Sequence, residues 1–492
     1  MQRLKQIPFF LLLLVVFFCL HGSVENYGFI GLHEVLILGL IIAGSVLVLF
    51  LVVLFFTRNY LSASLISFFI VLWYLFFGAI HDWIKSKYFL SFLHSYTVLL
   101  PLLLVITVAW IIYLQRYKTA QPQWTLYLNL LLMIYCSMDG VRIMRSYMTP
   151  EKNFFKQVAF DPGKVKTKPN MYYLLFDEYP GYKSLQDSFG FRNDSLYRFF
   201  AKNDFQLLPT FANYDFTLFS MSSIFNMQYV DSNYDHKKLT QKDMQQRLQE
   251  IKNAGVISLF SQMGYKIENY SIFDIAGQNS TAARNSLFPV HTPLLTDKIF
   301  HNRILKDLAW WLVTGKFKIE SIREKYLYRK DRDNQYTEKM IIESSAQKTT
   351  FPKFCYGHFL LPHRPYYRDS TGNIRDFKSP DEMYELFFDK EIFLSYLKYT
   401  NKVIGSLVKN ITHNDPNAII VVMSDHGFHT FNNSISYNPY NYNNICAVRF
   451  PDKNYINYKE KWSTVNFFRY LFNCEFGQQL PYLSDSTIWI NL

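Results

Sequence analysis

Two apolar runs of this chain end in side chains that can bind a metal ion. Asp177 and Glu178 follow the run MYYLLF, and Asp425 and His426 follow IIVVM after a single serine. Gly427 comes next, so the backbone can turn away without a side chain in the site. Carboxylates with one imidazole and no thiolate suit Mn²⁺, Zn²⁺ or Mg²⁺. These two stretches therefore predict a divalent-metal centre.

A hydroxyl residue and a further histidine could act beside such a metal. Thr217 stands in NYDFTLFSMSS, and His363 follows the apolar stretch of HFLLPHRPYY. A bound metal favours the alkoxide of a hydroxyl group and neutralises charge on a phosphoryl or sulfuryl group. Thr217 is therefore a candidate nucleophile. Each stretch alone also fits a turn or a solvated loop, so the prediction depends on their joint occurrence in one domain.

The segments around these residues predict the sheet that would bring them together. From Pro169 onward, short apolar runs alternate with amphipathic stretches, which is typical of a mostly parallel sheet covered by helices. In such sheets, functional groups gather beyond the carboxyl ends of the strands. We expect one helix to end at Gly264 and another to begin at Ser463 as its cap. The expected strands are MYYLLF, KIENY, KFCYGHFLLP and NAIIVVM, and the expected helices are SLYRFFAKNDF, RLQEIKNAGVISLFSQM, DKEIFLSYLKYTNKVIGSLVKNI and STVNFFRYLF.

The first third of the chain is far more apolar than the rest. No charged residue occurs in Val35–Phe56, Leu61–Ile80 or Tyr96–Leu114, and each is close to the ~20 residues that cross a bilayer core. Ile7–Leu20 is shorter and is either a first span or the core of a signal peptide. Polar residues dilute Trp124–Met138, which makes it the weakest candidate.

Five spans that start in the cytoplasm would leave everything after residue 140 outside. Basic residues at the predicted cytoplasmic ends agree with that orientation, whereas Lys85 and Lys87 fall on an outer loop. The orientation requires Trp124–Met138 to cross. The expected division is a transmembrane domain of about five helices over 1–148, a linker over 149–168, and an α/β domain over 169–492 with a helical insertion at 286–347.

Composition excludes some classes of function. The net charge is +12, but the basic residues do not cluster with a binding fold, so no nucleic-acid partner is expected. Attraction to anionic lipid and simple solubility account for the charge better. The five cysteines form no CxxC pair, which leaves buried thiols as the simplest interpretation.

From about Pro169 to Leu492 the chain resembles the sulfatase-like branch of the alkaline phosphatase superfamily. It is most similar to membrane-anchored members such as lipoteichoic acid synthase and the phosphoethanolamine transferases. The pieces that carry the resemblance are PNMYYLLFDEYPG, NYDFTLFSMSSIFNM, HFLLPHRPYY, VVMSDHG and YNNICAVRFPDKNY. The resemblance implies an alkaline-phosphatase-type α/β domain that follows a block of about five membrane spans and faces outward.

The resemblance also implies the ligands of one divalent metal ion. Asp177 would be a ligand, Glu178 a candidate to share that role, and Asp425 and His426 would complete the site. Mn²⁺ or Zn²⁺ is the expected metal, with Mg²⁺ or Ca²⁺ as alternatives.

Two further roles follow from the same resemblance. Thr217 would be the metal-bound nucleophile, and His363 would contact the anionic group of the substrate or the leaving oxygen. Sulfatases that use formylglycine carry a C/S-x-P-x-R motif. The stretch TLFSM that begins at Thr217 lacks both the proline and the arginine, so formylglycine chemistry is not expected.

The expected function is that of a membrane-anchored, metal-dependent enzyme of the cell envelope with a threonine nucleophile. It would transfer a phosphoryl-type group or hydrolyse a phosphate or sulfate ester, with a membrane lipid or an envelope glycan as substrate. We expect a multi-pass protein of the inner (cytoplasmic) membrane with its catalytic domain on the outer or periplasmic side. The alternative is a sulfatase-like envelope scaffold without turnover.

Overall fold

The chain forms two compact units. One comprises Met1–Lys152 and Arg284–Trp311, and the other comprises Asn153–Ala283 and Leu312–Leu492. The computed structural model describes residues 2–27, 29–87, 92–148, 158–230, 239–281, 292–305, 320, 327–378, 380–429, 438–455 and 462–490.

The first unit is helical because its long apolar stretches satisfy their backbone hydrogen bonds internally. Among its described residues, four helical stretches are long and apolar enough to cross a membrane, and a fifth apolar helix is shorter. The weakest predicted span, Trp124–Met138, lies inside the last of the four. The helices are α1 Gln2–Gln6, α2 Phe10–Glu25, α3 Leu32–Thr57, α4 Tyr60–Lys85, α5 Tyr96–Arg116 and α6 Gln121–Met148.

The polar residues that lower the hydropathy of α6 form hydrogen bonds with other helices. The Asn129 side chain accepts a hydrogen bond from Phe10 N at 2.7 Å and donates to Leu4 O at 2.8 Å. Gln121 Nε2 donates to Ser62 Oγ at 2.9 Å. Such contacts satisfy polar groups inside an apolar helical unit, so the dilution of this span reflects packing between helices.

The second unit contains the predicted sheet. Strand β1 lies at its centre between β5 and β6, and β4, β5, β1 and β6 are mutually parallel. Strand β7 runs antiparallel to β6, and β2 antiparallel to β7, while β3 and β8 form a separate parallel pair. The strands are β1 Met171–Phe176, β2 Gln206–Leu207, β3 Thr210–Phe211, β4 Lys266–Tyr270, β5 Lys353–Phe359, β6 Ile419–Met423, β7 Cys446–Arg449 and β8 Trp462–Ser463.

Burial explains why the central strands of the sheet have continuous apolar sequences. Every residue of β1, β5 and β6 is buried, as expected for strands whose two faces are both covered. The prediction of an apolar helical part followed by an α/β domain with a mostly parallel sheet is confirmed.

Helices of the second unit follow most of the predicted pattern. Gly264 ends its helix with φ +86, as expected. Of the predicted insertion at 286–347, residues 286–291, 306–319 and 321–326 lie outside the described residues. The helices are α7 Tyr182–Phe189, α8 Asp194–Lys202, α9 Thr217–Asn226, α10 Gln241–Lys252, α11 Gly255–Gln262, α12 Arg329–Ala346, α13 Pro380–Glu385, α14 Lys390–Asn414 and α15 Phe467–Glu475.

Two local predictions are wrong. The stretch before Gly264 forms two helices, because Gly255 N donates to Asn226 Oδ1 at 2.9 Å and α10 ends before it. Ser463 precedes the 3₁₀ turn Thr464–Asn466 that leads into the last helix, but its side chain makes no capping hydrogen bond. It belongs to β8, and its hydroxyl donates to Asp485 Oδ1 at 2.6 Å, while α15 begins at Phe467. Both errors come from partners that are remote in sequence.

Candidate metal centre

The carboxyl ends of β1 and β6 deliver three ligand-type side chains to one point. Leu175 of β1 pairs with Met423 of β6 in parallel register, so the residues that follow both strands meet at the same edge. Asp177, Asp425 and His426 each place one ligand atom within 4.8 Å of the others, and all three are buried. The sequence therefore brings two carboxylates and one imidazole together from positions about 250 residues apart.

The donor atoms of this cluster fit a divalent cation. Asp177 Oδ1 and Asp425 Oδ2 have no hydrogen-bond partner among the described residues, although both atoms are buried. His426 Nε2 lies 3.9 Å from the first oxygen and 3.3 Å from the second. Unpaired buried carboxylate oxygens are costly, and a cation between them would remove that cost.

The backbone fixes the tautomer of His426. Its Nδ1 lies 2.8 Å from Gly427 O, and because a carbonyl can only accept, Nδ1 carries the proton. In the neutral ring, the lone pair of Nε2 then faces the carboxylates, which is the arrangement of a metal-binding histidine. A Cβ added at Gly427 would collide with the carbonyl oxygens of Tyr440 and Asn443. Glycine is therefore required here by close approach of the backbone.

Burial and mutual charge shift the protonation of all three groups. Burial raises the pKa of Asp425, and the charge of Asp177 adds to that rise. Burial opposes ionisation of Asp177 as well, but nearby histidines, above all His363, hold its pKa below the ordinary range. Burial lowers the pKa of His426, yet the carboxylates of Asp425 and Asp177 outweigh it and raise the pKa to about 9. The raised pKa values of Asp425 and His426 show that the site favours binding of positive charge, here as protons. A cation would meet the same need.

Thr217 places its hydroxyl beside this cluster. It is the first residue of α9, and its Oγ1 lies 3.3 Å from His426 Nε2. Two neighbouring hydroxyls have other partners: Ser220 Oγ donates to Asp425 O at 2.5 Å, and Ser222 Oγ donates to Glu250 Oε2 at 2.5 Å. The structure therefore distinguishes Thr217 from Ser220 and Ser222.

Glu178 lies beside the three-residue cluster. Its backbone has φ +61, a left-handed conformation that is uncommon outside glycine, and its N–H donates to Asp425 Oδ1 at 3.2 Å. Its carboxylate accepts a hydrogen bond from His429 N at 3.0 Å and lies 3.9 Å from His363 Nε2. The left-handed turn thus directs the two successive acids to different partners.

Three further histidines surround the carboxylates. His363 is half-buried, with 31% of its side chain exposed, and its Nε2 lies 3.9 Å from Glu178 Oε2. His358 Nε2 lies 3.7 Å from Asp177 Oδ2, and the His358 side chain is fully buried. His429 stacks on His426 with ring centres 4.8 Å apart. In the sequence, only the spacing of three residues from His426 could have indicated that His429 lies at this site.

One lysine interacts electrostatically with the acids of the site. Desolvation lowers the pKa of Lys330, although part of the side chain is exposed, and the charge of Asp177 raises it again. The first turn of α12 that carries Lys330 is held by Asp331, which accepts hydrogen bonds from Arg368 at 2.8 and 2.7 Å. Lys330 falls within the predicted insertion, and no sequence pattern marked it.

Comparison with known proteins identifies one matching family. The sulfatase family model matches residues 220–470, just over half of the chain. His363, Asp425 and His426 lie inside the match, whereas Asp177 and Thr217 precede it. No curated protein sequence matches the chain.

Solved structures with low sequence identity also match. The C-terminal periplasmic domain of EcEptC from Escherichia coli in complex with Zn is 12% identical, with 66% of this chain and 86% of that chain covered and a TM-score of 0.39. A putative sulfatase from Bacteroides thetaiotaomicron is 13% identical over 65% and 74% of the two chains, with a TM-score of 0.39. The putative sulfatase yidJ from Bacteroides fragilis is 11% identical over 66% and 77%, with a TM-score of 0.37.

Proposed function

The chain belongs to the sulfatase family, which acts on sulfate or phosphate esters, and on that premise we propose a membrane-anchored, metal-dependent enzyme with Thr217 as its nucleophile. The observation that carries the proposal is the position of Thr217 Oγ1, 3.3 Å from His426 Nε2 and beside two unpaired buried carboxylate oxygens. A hydroxyl at such a place is suited to attack an ester of phosphorus or sulfur.

Asp177, Asp425 and His426 would hold the metal ion, with Glu178 and the Thr217 oxygen as further candidates. Two carboxylates and one imidazole suit Mn²⁺ or Zn²⁺, with Mg²⁺ or Ca²⁺ as alternatives. When bound, such an ion lowers the pKa of a hydroxyl group and neutralises charge on a phosphoryl or sulfuryl group.

Thr217 and His363 would carry out the steps of the reaction. Thr217 Oγ1, after losing its proton, forms a bond to phosphorus while the bond to the leaving oxygen breaks. His363, which is partly exposed, would contact the anionic group or give a proton to the leaving oxygen. Water or an acceptor alcohol then attacks the phosphothreonine and restores the hydroxyl. Water makes the enzyme a hydrolase, and an alcohol makes it a transferase.

The position of Thr217 in its helix supports binding of an anion. It opens α9, a helix of ten residues, and the positive end of a helix dipole favours negative charge. The charges of Lys330 and Asp177 also interact, because Asp177 raises the pKa of Lys330. The site thus offers an anionic group both a helix N-terminus and a nearby cation.

The apolar helices suggest where the substrate lies. Four candidate spans precede the α/β unit, and basic residues favour an orientation that leaves that unit outside. We place the protein in the inner (cytoplasmic) membrane, with the active site on the outer or periplasmic side. Its substrate would be a membrane lipid or an envelope glycan.

Trapping the covalent intermediate tests this function. The full-length protein is loaded with Mn²⁺ or Zn²⁺, incubated with phospholipid vesicles, quenched in acid and analysed by mass spectrometry for a phosphoryl adduct on Thr217. We expect an adduct in the wild type and none in Thr217→Ala. If the wild type is fully loaded with metal but shows neither an adduct nor turnover, the protein is a sulfatase-like scaffold and the proposed activity is wrong. Release of free phosphoryl product would indicate a hydrolase, and transfer of the phosphoryl group to an acceptor alcohol would indicate a transferase.

A further inference from the structure

One segment from the middle of the chain packs within the helical unit. Residues 292–305, called here the docking segment, belong to the first compact unit, although the chain on both sides of Arg284–Trp311 belongs to the second. Leu295 and Ile299 pack in the same apolar cluster as α2 and α4 residues. Phe300 and Ile304 pack against a second cluster of α4 and α5 residues.

Two glycines allow the docking segment to approach the helices closely. Gly78 N in α4 lies 2.7 Å from Lys298 O and donates to it. A Cβ at Gly78 would lie 2.6 to 2.9 Å from the O, Cα and Cβ atoms of Lys298. At Gly22 in α2, the side chain of Leu295 fills the space that a Cβ would need. Small residues permit this kind of packing in apolar helical units.

Polar contacts specify how the docking segment binds. Arg303 Nη2 donates to Asp82 Oδ1 at 2.6 Å, and 16% of the Arg303 side chain is exposed. The hydroxyl of Tyr74 lies 2.6 Å from His301 Nδ1. A partly buried ion pair next to an apolar surface is costly to break, because the remaining charge is poorly solvated. The pair therefore favours one docked arrangement.

The docking contacts lie at the end of the helical unit where α6 also ends. They involve the last turns of α2, the second half of α4 and the first half of α5. The last turns of α2 also contact the second half of α6, where His21 Nδ1 lies 3.0 Å from Asp139 Oδ2. The chain therefore leaves the helical unit after Met148 and returns to it through the docking segment at the same end.

We propose that the docking segment is a second tether, which holds the α/β unit at the membrane so that its site acts on membrane-borne esters. This inference rests on the proposed function and adds the substrate's location to it. A domain attached at two points explores fewer positions than one attached at a single point, and this raises the effective concentration of a substrate confined to the bilayer surface. An ester dissolved in water gains nothing from the tether.

The variant Gly78→Leu tests the tether, because its side chain would displace Lys298. Gly44→Leu is the matched control, since a Cβ at Gly44 meets nothing within 4 Å. Both variants and the wild type are reconstituted, full length, into phospholipid vesicles. Three quantities are measured: turnover of a phospholipid with a labelled headgroup, turnover of water-soluble bis(4-nitrophenyl) phosphate, and amide hydrogen exchange over residues 292–305.

We expect Gly78→Leu to speed exchange in the docking segment and to reduce phospholipid turnover on the order of tenfold. Its turnover of the soluble ester should stay within about twofold of wild type, and Gly44→Leu should match wild type in all three measurements. Equal losses on both esters, or faster exchange with unchanged phospholipid turnover, would overturn the proposal. If Gly78→Leu does not fold, Asp82→Arg should show the same selective loss, and the double variant Asp82→Arg/Arg303→Asp should restore phospholipid turnover.

Failure of the proposed function is recognised separately. A wild type that turns over neither ester refutes the proposed function and with it the role assigned to the tether. Fast exchange over residues 292–305 in an active wild type refutes the tether alone.

Discussion

Thr217 Oγ1 lies 3.3 Å from His426 Nε2, although 209 positions of sequence separate the two residues. One begins a helix and the other follows a central strand, so only the assembled α/β unit brings them together. His426 presents Nε2 because Gly427 O binds its other nitrogen. The hydroxyl thus faces the same space as the proposed metal ligands, and this makes its role testable by substitution.

Replacing Thr217 by alanine should remove the covalent route. Asp177, Asp425 and His426 remain in place, so metal content should fall only modestly. Turnover should drop by about 10³-fold or more, as when one member of a cooperating catalytic set is removed. Thr217→Ser keeps the hydroxyl and should retain part of the activity. Steady-state rates and metal analysis on the same preparations would measure both effects.

Ser220→Ala and Ser222→Ala are the matched controls for that experiment. Their hydroxyls bind Asp425 O and Glu250 Oε2, so each loss should cost about 1 kcal/mol of stability and lower the melting temperature with far milder effects on turnover. If either serine variant abolishes turnover while Thr217→Ala does not, the nucleophile is a serine.

Asp425→Asn should release the metal while preserving the fold. The amide oxygen can still accept the Glu178 N–H bond seen at 3.2 Å, but the negative charge that the cation needs is lost. We expect metal affinity to fall by more than about 100-fold with an unchanged circular dichroism spectrum. Asp204→Asn, which breaks only a surface ion pair with Lys453, should keep its metal. Unchanged metal content in Asp425→Asn would contradict the assignment.

The sequence could predict where Asp177, Asp425 and His426 lie because their position depends on a simple rule. Residues that follow neighbouring parallel strands must meet, and this placed Asp177 near Asp425 and His426. The rule does not determine the direction of a side chain within the loop. Glu178 adopts φ +61 and binds His429, and this follows from contacts of the folded loop that no local pattern records.

Long-range packing explains the other features that the sequence did not predict. The helix break before Gly255 depends on Asn226, and the docking segment depends on Gly78. Both glycines are ordinary in their local context, and only a partner remote in sequence gives each of them its role. Helices and strands with strong apolar periodicity were predicted correctly because their signal is local.

Labelling of single cysteines in intact cells would establish the side of the membrane on which the α/β unit lies. Lys166 is exposed shortly before β1, and Lys118 is exposed at the predicted cytoplasmic end of α5. A membrane-impermeant maleimide should label Lys166→Cys in intact cells and label Lys118→Cys only after lysis. Protection of Lys166→Cys in intact cells, with labelling after lysis, would place the unit in the cytoplasm and contradict an envelope substrate.

Glu475, at the end of α15, should make the stability of the α/β unit fall as pH rises. Burial, with Asp452 close by, raises the pKa of Glu475 from 4.5 to about 8. Between these values the folded state holds a proton that the unfolded state has released, so the free energy of unfolding decreases with increasing pH across that window. Glu475→Gln cannot ionise and should therefore have a higher melting temperature than wild type at pH 8, with little difference at pH 4.5. Glu385→Gln, at an exposed position, is the control and should follow wild type at both pH values. Melting curves of Glu475→Gln that fall with pH as steeply as those of the wild type would show that another group causes the decrease.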